Sequence, residues 1–191
     1  MNNMNIYFRV ISLFMITLLA AGCNTVPLTS RKQMNLLPES MMVEMGLTNY
    51  DAFLKENKLS QDQAQVTMIK RAGERISQSA ERFMKENGLA SNIRYFNWQF
   101  NLVDSDVPNA WCMPGGKIVF YKGILPLTQD EDGVAVVMGH EIAHAVARHG
   151  NERMSQGLLA QMGGIALAVA IEEKPEETKQ LFMAAYGLGA T

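Results

Sequence analysis

The sequence is poor in the residues that staple small secreted scaffolds. Its two cysteines, Cys23 and Cys112, cannot build a disulfide framework. Basic and acidic side chains nearly balance, 17 against 19, for a net charge of −2. That balance excludes the basic footprint of a nucleic-acid binder, so no nucleic-acid partner is expected, and it gives no pull toward strongly anionic substrates. No internal repeat marks a solenoid. No apolar run reaches the ~20 residues needed to cross a bilayer. What remains is 191 residues, 48% hydrophobic and 19% charged, which suits one globular domain. Fourteen methionines are available to fill irregular core gaps.

The N-terminus reads as an export signal. Arg9 is the only charged side chain before Cys23, the apolar run Val10 to Leu19 follows, and Ala20, Ala21 and Gly22 supply a small-residue cleavage site. Leu19-Ala20-Ala21-Gly22-Cys23 resembles the bacterial lipobox. The resemblance implies that residues 1–22 are removed and that Cys23 carries a diacylglycerol and an acylated amino group, a combination that anchors stably where one chain would not. Asn24 in place of aspartate implies sorting to the outer membrane, periplasmic face. Losing Arg9 leaves 17 − 1 = 16 basic residues against 19 acidic, about −3 for the mature domain. Residues 23–38 read as a lipidated tether, and residues 39–191 as the catalytic domain.

Apolar spacing predicts an α+β, mostly helical domain. Residues 39–58 form one helix, with Met42, Met45, Tyr50, Phe53 and Leu54 near one face. A second starts at Ser60 with the capping-box form Ser60-x-x-Gln63 and stops at Gly88. Alternation of Trp98, Phe100 and Leu102 predicts a strand within 93–103. Residues 109–113 and 117–121 read as a hairpin around Pro114-Gly115-Gly116, so a small antiparallel sheet is expected. A third helix opens at Thr128 with Thr128-x-x-Glu131, carries Val134, Val137, Met138, Ile142, Ala145 and Val146 as its apolar stripe, and ends at Arg148-His149-Gly150. Residues 157–171, 15 in all and almost wholly apolar, read as a buried helix or a membrane-dipping hairpin.

The third helix contains His140-Glu141-Ile142-Ala143-His144. Residues four apart on a helix differ by ~40° of rotation and ~6 Å of rise, so His140 and His144 project side by side and can hold one Zn²⁺ per chain. Glu141, ~100° from His140, stands beside the metal as general base for an attacking water. This is the metalloprotease form of the motif. His149 lies ~140° from His144 while the helix persists, so a polar helix end is its expected role. Ala147 and Gly150 stand where the extended histidine motif needs glycine and histidine, which excludes that subclass.

Residues 108–118 (Pro108-Asn109-Ala110-Trp111-Cys112-Met113-Pro114-Gly115-Gly116-Lys117-Ile118), with Gly123-Ile124-Leu125 and Gly139 to His144, resemble metallopeptidase family forty-eight. That family includes CAAX prenyl endopeptidases, HtpX-like proteases and periplasmic lipoprotein proteases tied to outer-membrane quality control. The resemblance implies a gluzincin-like zincin fold in which Asn109, Ala110 and Trp111 line the cleft and pair with an extended substrate. It also implies a third zinc ligand, a glutamate on a later helix in a pattern such as E-x-x-A-D. No aspartate follows Asp132, and neither Glu152 nor Glu172, Glu173, Glu176 and Glu177 fits, so that ligand is expected beyond Thr191. Two roles follow. One is a lipid-anchored zinc endopeptidase acting on unfolded or misassembled envelope proteins. The other is a chaperone or assembly factor, working with envelope-assembly machinery, that holds chains in the same cleft with little cutting.

Overall fold

The computed structural model describes residues 23–26 and 31–170, with side chains placed to residue 163. The signal segment 1–22 and the polar stretch 172–177 lie outside the described residues. Strands β1 (Cys23–Thr25) and β2 (Lys32–Met34) form an antiparallel ribbon. Helices α1 (Glu39–Glu56) and α2 (Gln63–Glu86) follow, then a 3-10 turn at Ala90–Tyr95. Next come β3 (Gln99–Val103), β4 (Ala110–Met113) and β5 (Lys117–Tyr121). The described residues end with α3 (Leu125–Thr128), α4 (Glu131–Val146) and α5 (His149–Ala170).

The three-stranded sheet has the order β3-β5-β4, and the α+β class holds. Its hairpin β4–β5 is antiparallel, turning through Gly115 and Gly116 at φ +88° and +77°, where a side chain would be strained. The sheet is mixed, however, rather than antiparallel throughout, because β3 pairs parallel with β5 from Gln99↔Lys117 to Val103↔Tyr121. Alternation fixes which face a residue takes, not which neighbour its strand selects. As the central strand, β5 buries Lys117, Ile118, Val119 and Phe120.

The sheet is covered on both faces. Ile118, Phe120 and Leu102 pack against Ile69 and Ala72 of α2 and Val134, Met138 and Ile142 of α4. On the other face Val103 and Val119 meet Tyr50, with Phe53 and Trp111 beside them. Gly46 lets α1 approach closely, since a Cβ there would lie 2.5 Å from the Pro114 carbonyl oxygen.

Both predicted capping boxes shift by two residues. Asp62 caps α2, accepting from the Ala64 and Gln65 amides at 3.0 and 3.1 Å. Asp130 caps α4, accepting from Gly133 N at 2.9 Å, while the Thr128 hydroxyl donates backward to Leu125 O and closes α3. A carboxylate outcompetes a hydroxyl at the positive end of a helix. Residues 93–95 fall in the 3-10 turn, so the predicted strand is shorter than its range.

Two further expectations change. The segment read as a spacer is docked over its last part: Arg31 forms a bidentate pair with Glu152 at 2.6 Å, and the Leu36 and Leu37 amides donate to Ser155 Oγ and Asn151 Oδ1 at 2.9 and 3.4 Å. The described start of the predicted buried helix is solvent-facing, with Leu158 36% and Met162 54% exposed. It prolongs α5 beyond the packed layers. Among the described residues no helix is long and apolar enough to cross a membrane.

Candidate metal centre

Helix α4 positions the site by burying one stripe. Val134, Met138 and Ile142, each four apart, point into the core at 0–2% exposure, which turns His140 and His144 toward the open side. Their Nε2 atoms face one another at 2.9 Å, with the rings nearly perpendicular at 89°. Metal–nitrogen bonds of ~2.0–2.1 Å can bridge two nitrogens at that spacing. The imidazole pair therefore fits a zinc ion as two of its ligands. Among the described residues no group of three or more histidine, cysteine, aspartate or glutamate side chains could hold a metal. Burial pushes the His144 imidazole below its ordinary pKa, and His140, His149 and Arg153 add to the shift. That favours the neutral ring a metal needs.

Glu141 lies on the strand side of the helix, near the Cys112 backbone. Burial raises the Glu141 pKa above the usual carboxylate range. The opposing pulls of His140, the Cys112 amide and Arg153 are weaker. A carboxylate made more basic in this way is suited to accept a proton from water.

The structure brings β4 alongside these residues as the outer strand of the sheet. Asn109 O accepts from Tyr121 N at 3.0 Å, so that backbone group faces β5, and the alternation of the ladder turns the Ala110 and Cys112 backbones outward. Ala110 packs toward the α2–α4 core. The Trp111 side chain faces α1: its ring lies 4.9 Å edge-on from Phe53, and its Nε1 donates to Tyr121 Oη at 3.3 Å. It walls a largely apolar cavity of about 450 Å³, together with Phe53, Met113 and Tyr121, that reaches His144 and Arg148.

Peptidase family M48 matches this chain over residues 70–189. The chain belongs to that family. The match includes α4 and its paired histidines as well as β4 and β5. The mitochondrial metalloendopeptidase OMA1 of Schizosaccharomyces pombe is 34% identical over 107 residues, 52% of this chain and 32% of that protein. The human mitochondrial metalloendopeptidase OMA1 is 28% identical over 130 residues, 66% and 24% respectively. The β-barrel assembly-enhancing protease of Yersinia pestis is 36% identical over 52 residues, 27% and 11%. The chain thus spans about a third or less of the length of these relatives.

His149 is where the expectation fails. Helix α4 ends at Val146, Arg148 takes the left-handed conformation at φ +57°, and α5 begins at His149 itself. The ~140° separation holds only on a continuous helix. With the axis broken, His149 Nδ1 reaches His144 Nδ1, the ring centroids 4.7 Å apart. Arg153, one turn further along, adds a positive charge near Glu141 and His144. The sequence singled out His149 but placed it away from His144, because Gly150, the apparent stop, lies inside α5, and it gave no signal for Arg153.

Proposed function

We propose that this M48 domain is a zinc metalloendopeptidase cleaving unfolded or misassembled cell-envelope proteins. The observation that carries the reading is the pair of Nε2 atoms 2.9 Å apart, with a carboxylate of raised pKa one residue along the same helix. His140 and His144 would hold a zinc ion, which when bound would supply Lewis acidity and lower the pKa of an attacking water toward ~7. Glu141 takes the proton from the attacking water and passes it to the leaving amine. The outward backbone of β4 offers pairing to an extended chain, which favours unfolded substrates. The relatives named metalloendopeptidase and assembly-enhancing protease support the class of reaction.

Glu141→Gln should abolish casein cleavage, a loss of at least ~10²-fold, while zinc stays bound. Full cleavage by that variant would sink the mechanism. Retained binding of unfolded chains without cutting is the signature of the base alone being lost.

The domain is anchored, in this reading, to the outer membrane through lipid on Cys23, as the lipobox-like end of the signal suggests. Labelled palmitate should enter the protein in cells and should not enter Cys23→Ser. Equal labelling of both would remove the anchor from the reading.

A further inference from the structure

We propose that His149 is a positioning residue for the metal ligand His144, fixing its ring orientation and its tautomer. The proposal rests on the zinc reading for its purpose, but its geometry stands apart from it. A ligating imidazole has two nitrogens, and the one not on the metal is set by its own hydrogen bond. Here the two nitrogens of His144 have distinct partners: Nε2 faces His140 and Nδ1 meets His149 Nδ1. A proton on His144 Nδ1, donated to the lone pair of His149 Nδ1, leaves the Nε2 lone pair directed at the site.

Much of the surrounding structure holds His149 there. The left-handed turn that brings it back is held by the Arg148 side chain, which pairs with Glu39 at 3.2 Å and donates to Asn92 Oδ1 at 3.1 Å. A non-glycine residue in that conformation is strained and persists only when its surroundings fix it. The first turns of α5 are clamped from the other side by the docked N-terminal segment, through Glu152 to Arg31, Asn151 to Leu37 and Ser155 to Leu36. Asn151 and Ser155 are buried, and a 3.1 Å hydrogen bond links them. His149 therefore opens a helix pinned on two sides, a rigid base for orienting its neighbour.

The test uses chain labelled with ¹⁵N-histidine, metal-free and above the imidazole titration range, where long-range ¹H–¹⁵N spectra read each ring's tautomer. His144 should carry its proton on Nδ1. His149→Leu should return it to Nε2–H, the form favoured by free imidazole, whereas His149→Asn, which keeps an acceptor at the same reach, should hold Nδ1–H. Zinc affinity by chelator competition should fall ~10–100-fold in His149→Leu and recover largely in His149→Asn. Wild-type His144 protonated on Nε2, or a tautomer unmoved by His149→Leu, would overturn the proposal whether or not zinc binds. A changed tautomer with zinc affinity unaltered would overturn the link to the metal. Failure of the full-length protein, with the later ligand present, to bind zinc would instead count against the metalloendopeptidase reading, with the tautomer still deciding the role of His149.

Discussion

The two ends of helix α4 are built by different means. Its N-terminal half follows local rules: a carboxylate cap at Asp130, acidic Glu131 and Asp132 in the first turn, and a buried stripe at four-residue intervals. Glu131 is further tied to Arg71 of α2, whose guanidinium holds the glutamate pKa below its ordinary value. The C-terminal end is fixed by distant partners instead. Arg148 depends on Glu39 and Asn92, and α5 beyond it depends on Arg31, Leu36 and Leu37. The paired histidines His140 and His144 lie between the two regimes. The core half sets where His140 and His144 point, and the break sets what stands behind His144.

Substitutions can separate these contributions. Met138→Ala opens a cavity at a fully buried position against Ile118 and Phe120, so unfolding in urea should show a loss of about 2–5 kcal/mol. A loss under 1 kcal/mol would mean the stripe is not the main support of the helix. Arg148→Ala and Arg148→Gly remove the same side-chain contacts, but only glycine adopts φ +57° freely. The glycine variant should be the more stable of the two, by about 1 kcal/mol in the same assay. Equal stabilities would show that backbone chirality does not govern the break.

Much of the first half was legible in the sequence, and the reason is physical. Val134, Met138 and Ile142 repeat at the helical period, and Pro114-Gly115-Gly116 can only turn, so the hairpin and the site helix followed from spacing. The H-E-x-x-H pair needed nothing beyond that helix. The caps were misplaced by two residues because Ser60 and Thr128 open capping-box patterns just ahead of the aspartates whose carboxylates make the cap bonds. The parallel pairing of β3 was hidden, since strand order is not written in alternation. The approach of His149 was hidden more deeply. It depends on a left-handed arginine, a conformation that no local residue pattern announces, held by a glutamate more than a hundred positions earlier. The docked segment was missed for a related reason: its partners lie 114 to 121 residues away.

The nearness of Glu141 to β4 also bears on the redox character of the site. Cys112 stands next to a general base and a candidate metal centre, a setting in which a thiolate would be both an oxidation target and a rival ligand. Its sulfur instead packs toward the α2–α4 core and lies 3.5 Å from Met113 O, although the residue as a whole keeps some accessible surface. Burial drives the thiol pKa far upward, and the negative charge of Glu141 drives it further. Both effects push the sulfur toward the protonated thiol. Kept toward the thiol form, Cys112 is a poorer metal ligand and alkylation target than a thiolate, and the charge of Glu141 adds to that.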